Sequence, residues 1–209
     1  MPSFRLTVAY DGTGLVGWQR QATGVSVQAL LEGAASEIDG RPIVVTGAGR
    51  TDAGVHALGQ VASLSVTREI DAPALQRALN AHLPAAVRVV DAQAADPAFH
   101  ARFDATSKTY RYHVWNGEVV PPFLRAFTWH VPSPLLDVRR MDSAARLLEG
   151  RHDFAAFQSL GTDVVSSTRT LLGSRVRRVT IGDLDGVTAG LSAAAGSLPA
   201  SSRTKGKPR

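Results

Sequence analysis

Residues 47–57, GAGRTDAGVHA, set Arg50, Thr51, Asp52 and His56 among three glycines, soon after the short apolar run Ile43, Val44 and Val45. Glycine lets a backbone take a left-handed conformation or come close to a ligand, at an entropic cost. A loop that accepts this cost while presenting an arginine and a single carboxylate has the composition of a site. A lone carboxylate in a loop works as a nucleophile or as a base. Hydrolysis of a glycosidic bond normally takes two carboxylates, one of which protonates the leaving group. No second acid lies in this loop. One carboxylate suffices where the leaving group is a nucleobase that stays in the pocket and is reattached. The plainer alternative is that Asp52 caps a turn and Arg50 is solvated.

Other chemistries fit less well. Gly47 and Gly49 follow a strand-like run, but the third glycine of a dinucleotide fingerprint is replaced by Asp52, and strand-like alternation rather than a helix follows. A Walker loop is absent. The six histidines have no i, i+4 pair and no cysteine company, which argues against zinc. Two further clusters matter. Phe99, His100, Arg102 and Phe103 precede Lys108, Tyr110, Arg111 and Tyr112. Aromatic residues interleaved with basic ones suit readers of single-stranded RNA, whereas a two-faced strand would bury Tyr110 and Tyr112 and expose Arg111. Trp18, Gln19, Arg20 and Gln21 are read either as an exposed RNA-facing loop or as a hydrophobic staple with polar flanks.

The elements that must position these residues follow from periodicity. Phe4, Leu6 and Val8 alternate with Arg5, Thr7 and Ala9 as in a half-buried strand, ending at Tyr10, Asp11 and Gly12. Ser26 caps a helix carried by Val27, Leu30, Leu31, Ala34, Ala35 and Ile38, and Gly40 with Pro42 stops it. Strands are expected at 43–46, 60–66 and 87–90, and a second helix at 71–81. The order β-α-β-β-α-β is that of a ferredoxin-like unit. A second set opens with a strand at 109–115, in which Tyr110, Tyr112 and Val114 share a face. A proline-rich connection, a helix at 141–148 closed by Gly150, and a strand at 171–181 leading into a hairpin at 182–186 follow. The expected class is therefore α+β, with halves at 1–105 and 106–186 and a tail at 187–209. Residues 191–209 lack periodicity and read as disordered or aberrant.

With 209 residues there is room for a real core, and 44% hydrophobic and 20% charged residues are ordinary for a soluble protein. The absence of cysteine excludes a disulfide framework and thiolate chemistry, and fits a reducing cytoplasm. Neither a signal peptide nor an apolar run of membrane-spanning length is present. The net charge of +5 suits an anionic partner, but Arg203, Lys205, Lys207 and Arg209 carry four of those charges in the tail. On these grounds alone a ferredoxin-like regulatory or small-ligand domain stands as a rival to an enzyme.

Taken together, these residues closely resemble the TruA-type tRNA pseudouridine synthases. The resemblance starts at Tyr10, Asp11 and Gly12 and at Gly17 to Gln21, peaks at GRTDAGVHA (49–57), and continues through NAHLP (80–84), FHARF (99–103), Tyr110, Arg111 and Tyr112, and His152, Asp153 and Phe154. It spans roughly residues 4–181. It implies the pseudouridine synthase fold, with two ferredoxin-like halves and antiparallel sheets. It implies an isomerase that converts uridine to pseudouridine at positions 38, 39 and 40 of the tRNA anticodon stem-loop. Neither cofactor nor metal is implied, nor any membrane or DNA partner. A cytoplasmic homodimer would hold the tRNA across a basic cleft. Asp52 matches the essential aspartate, as nucleophile or base. Tyr110 matches the tyrosine that stacks on the target base, and Arg50 the arginine that holds the flipped nucleotide. His56 and Arg20 are further substrate-binding candidates. Family members continue past the strand at 171–181 with a segment that supplies a basic partner to the aspartate, and the tail here matches none of it. A truncated or frameshifted member of weak or no activity, or a tRNA-binding remnant, is expected on that account.

Overall fold

Apolar alternation from Phe4 becomes β1, Ser3–Tyr10, one of the two inner strands of a four-stranded sheet. The computed structural model describes residues 1–158 and 166–179, in two compact units, Met1–Tyr110 and a second beginning at Arg111. In the first unit, α1 (Val27–Asp39), β2 (Thr46–Gly47), β3 (Ala57–Ser65), α2 (Ala72–His82) and β4 (Val87–Ala95) follow β1. The sheet order is β2-β3-β1-β4, antiparallel throughout, which is the ferredoxin-like arrangement. Phe4, Leu6, Val8 and Tyr10 of β1 share one core with Val27 and Leu31 of α1 and Leu75 and Leu79 of α2. Leu31, Leu75 and Leu79 are fully buried, and burial of such a side chain stabilises by roughly 1.5–3 kcal/mol. Thr7, on the other face of β1, is buried too, at the middle of a strand paired on both sides.

Local capping fixes the helices. Ser26 accepts the Ala29 N–H, Gly40 closes α1 in a left-handed conformation, and Asp71 accepts the Ala74 N–H. The strand expected at 43–46 is reduced to Thr46–Gly47. Side chains of α1 take the backbone groups a sheet would use. Ser36 accepts the Ile43 N–H, Glu32 accepts the Val45 N–H, and Gln28 donates to the Val45 carbonyl. Ile43 and Val45 are buried under the helix. The end of β1 is irregular. Its register slips between Val8 and Tyr10 against β3 and between Thr7 and Val8 against β4, which brings Tyr10 opposite Ala57.

The second unit contains β5 (Val114–Trp115), β6 (Trp129–His130), α3 (Val138–Arg146), β7 (Gly150–Asp153) and β8 (Thr168–Leu171). β7 and β8 pair antiparallel. β5 and β6 pair parallel where an antiparallel sheet was expected, and the long connection at 116–128 gives the chain room to return in the same direction. The strand expected at 109–115 is confined to Val114–Trp115, and Tyr110 and Tyr112 are exposed rather than buried. The third helix starts earlier than its apolar pattern, because Asp137 accepts the N–H groups of Arg139 and Arg140. β8 begins before the strand expected at 171–181, and 172–179 carry no strand. The hairpin at 182–186 and the tail lie outside the described residues. Among those described, no helix is long and apolar enough to cross a membrane.

Candidate active site

Two loops build the site, residues 11–18 after β1 and 48–56 between β2 and β3. They are bound to each other through their backbones. The Thr51 carbonyl accepts the Trp18 N–H at 3.0 Å, and the Leu15 carbonyl accepts the Gly54 N–H at 3.2 Å. Contact this close leaves no room for side chains. A Cβ on Gly17 would lie 2.4 Å from the Thr51 carbonyl oxygen, and one on Gly12 would lie 2.3 Å from that of Val55. Gly17 also has φ +100°, which other residues rarely adopt.

Asp52 and Arg50 both project from this braced loop and are exposed. The Asp52 carbonyl accepts the Val55 N–H at 3.2 Å, and Gly54 has φ +77°, as in a type II turn. Among the described residues the Asp52 carboxylate makes no hydrogen bond or ion pair. Thr51, immediately before it, is held from below. The hydroxyls of Thr51 and Tyr10 are 2.9 Å apart, and Gln60 donates to the Gly49 carbonyl at 2.7 Å. Burial pushes the Tyr10 hydroxyl above its ordinary pKa, against the opposing hydrogen bonds to Thr51 and Gln60.

His56 closes the other side of the loop. Its Nδ1 is 3.1 Å from the Gly12 N–H and 3.0 Å from Asp11 Oδ1. The two bonds need different states of one nitrogen. Bare, Nδ1 accepts from Gly12, and protonated, it donates to Asp11. Either bond ties the end of the glycine loop to the start of the other loop. Hydrogen bonds from the hydroxyl and N–H of Thr13 hold the Asp11 carboxyl below its ordinary pKa against some burial, and His56 adds to this.

Arg20 is committed elsewhere in part. Its Nε and terminal nitrogen both donate to Glu32 Oε2, at 3.1 and 2.6 Å, and Glu32 is largely buried. Sixty per cent of the Arg20 side chain remains exposed. Trp18 is buried and packs against Tyr10 and Gly47, which decides between its two readings in favour of a packed anchor. Tyr110 is 69% exposed in an extended segment that joins no sheet. Among the described residues no group of histidines and carboxylates is arranged to hold a metal.

The family model described as tRNA pseudouridine synthase matches residues 6–104, which hold both loops and all of the sheet but the first residues of β1. The tRNA pseudouridine synthase A of Beijerinckia indica is 45% identical over 185 residues, covering 88% of this chain and 70% of that protein. The chain belongs to the tRNA pseudouridine synthase family. Similar family members include the tRNA pseudouridine synthase A of Methylacidiphilum infernorum, 51% identical over 170 residues (81% of this chain, 66% of the relative), and that of Rhodospirillum rubrum, 46% identical over 181 residues (86% and 64%). The chain thus spans just under two thirds of the length of these two relatives.

The sequence reading singled out Asp52, Arg50 and His56, named Tyr10 only as the end of a strand and a point of resemblance, placed Lys108 in an aromatic–basic cluster suited to RNA without linking it to Gly49, and gave no role to Gln60 or Glu32. The signal for Tyr10 was its phase. It continues the buried positions 4, 6 and 8 yet carries a hydroxyl that needs a partner.

Proposed function

We propose that this chain isomerises uridine to pseudouridine at positions 38, 39 and 40 of the tRNA anticodon stem-loop. The observation that carries this reading is an exposed Asp52 on a loop pinned from both sides. Such a loop presents a carboxylate at a fixed place to a substrate that must come to it. The reaction breaks the bond between the ribose and a ring nitrogen of uracil and makes one to a ring carbon, which gives up its proton while the freed nitrogen takes one, so atoms balance with no change in composition. Asp52 serves as nucleophile or base. A duplex or stacked loop yields its base at a cost of a few kcal/mol, which stacking on Tyr110 offsets. Arg50 holds the flipped nucleotide, and the exposed half of Arg20 faces RNA phosphate. His56 acts through the loop it fastens. The N-terminal unit carries the chemistry, and the working form is a cytoplasmic homodimer, as the resemblance implies.

The test is to incubate the purified 209-residue protein with unmodified tRNA and map pseudouridine. Formation at 38–40 is expected, and Asp52→Ala abolishes it while tRNA binding persists. Turnover retained in Asp52→Ala would sink the assignment. A second reading, a tRNA-binding protein without chemistry, is favoured by the unpartnered state of the Asp52 carboxylate among the described residues. Wild type and Asp52→Ala that bind tRNA equally and both form no pseudouridine would establish it.

A further inference from the structure

Lys108 is the one lysine among the described residues, where every other fixed cationic side chain is arginine. It lies in the extended segment that leads to Tyr110, 59 positions along the chain from Gly49. A Cβ on Gly49 would nonetheless sit 2.8 Å from Lys108 Nζ and 3.3 Å from its Cε. The ammonium therefore rests on the glycine that precedes Arg50, three residues before Asp52. Lys108 is exposed, and among the described residues neither it nor Arg50 is paired with a carboxylate. Two cations bracket Gly49 while Tyr110 stands exposed two residues beyond one of them.

A flipped nucleotide presents a flat ring flanked by two phosphates. We propose that Lys108 binds a backbone phosphate next to the flipped uridine, and that Gly49 lacks a side chain so that this ammonium can lie on the catalytic loop. A lysine suits the place because it offers a compact charge with three rotatable donors to one phosphate oxygen approached over backbone. The inference rests on the reading of the Asp52 loop as an RNA-modifying site.

The test measures binding of a tRNA anticodon stem-loop transcript to the full chain across salt concentrations. Neutralising one phosphate contact changes the slope of log K against log salt by just under one, so Lys108→Ala weakens binding roughly three- to ten-fold at about 0.1 M salt, with the gap closing toward 1 M. Lys108→Arg restores the slope, and Arg77→Ala, which removes an equal charge from the exposed side of α2, leaves it unchanged. A Lys108→Ala slope equal to wild type, or an equal change in Arg77→Ala, would overturn the proposal. Pseudouridine formation on the same transcript reports the catalytic reading separately. A wild type that binds but forms none defeats that reading while the Lys108 comparison still decides, and a wild type that does not bind overturns both.

Discussion

The two units of this chain make different use of apolar residues. In the first, residues from three strands and two helices share one core that runs from Phe4 to Val89, and both loops of the candidate site spring from elements anchored in it. In the second, no described residue is buried, although Phe123 is 90% exposed, Leu135 84% and Leu172 82%. The amphipathic α3 buries none of its residues among those described. Hydrophobic side chains alone do not make a core. They need apolar faces that meet, as the sheet and the two helices of the first unit do. The loop bearing Asp52 belongs to the unit where that condition holds, and the bracing bonds described for it lie within that unit.

The largest expected effect tests this contrast directly. Leu79→Ala removes a fully buried side chain of the first unit and costs about 2–5 kcal/mol. Leu147→Ala alters a residue that is 77% exposed in the second unit and stays within about 0.5 kcal/mol. Urea unfolding followed by fluorescence of the buried Trp18 in a variant lacking Trp115 and Trp129 reads both. Equal costs would break the comparison.

Tyr10→Phe sharpens the link from core to site. It keeps the ring packed and removes only the hydroxyl that meets Thr51, so stability falls by about 1 kcal/mol. Because Thr51 is next to Asp52, kcat for pseudouridine formation falls several-fold while KM is nearly unchanged. A wild-type kcat in a folded Tyr10→Phe protein would show that the brace does not align the carboxylate.

The smallest effect appears in acid. Burial disfavours the charged Asp39, but Arg41, the N–H of Arg68, and the hydroxyl and N–H of Thr67 outweigh it and hold the carboxyl well below the usual carboxylate range. A folded-state pKa below the unfolded one stabilises fully above about pH 4 and is lost as pH falls through the folded value. Asp39→Asn should therefore flatten the loss of stability between about pH 4 and pH 2, as measured by urea midpoints, and leave the slope near neutrality unchanged. An unaltered acid slope would place that pH dependence in other carboxylates, such as Asp142 and Glu149 of the second unit, which are also held low.

What the sequence made legible was what is local. Ser26, Gly40 and Asp71 mark helix ends because caps act within three or four residues. The sheet order follows from the alternation of strands and helices. The loop at 47–57 stood out because its glycines and charges are contiguous. The shortened strand before it was hidden, because it depends on side chains of α1 that reach seven to seventeen residues along the chain. Tyr110 and Tyr112 keep the two-residue period of a strand, yet no described strand pairs with them, so the pattern gives an extended segment without a sheet. The contacts of Tyr10, Gln60 and Lys108 with the loop were hidden for the same reason. Each meets the loop only after β1 and β3 have paired or after the chain has returned past β4.

The backbone bonds that join residues 11–18 to 48–56 give these loops a property usually reserved for helices and sheets. The amides of Gly12, Trp18, Gly54 and Val55 are all engaged, three of them across the two loops. Neither loop can open alone without breaking bonds of the other. In hydrogen–deuterium exchange these four amides should exchange together, as one cooperative unit that opens with the end of β1. The segment bearing Asp52 would then count, by its dynamics, as part of the folded core that its irregular backbone conceals.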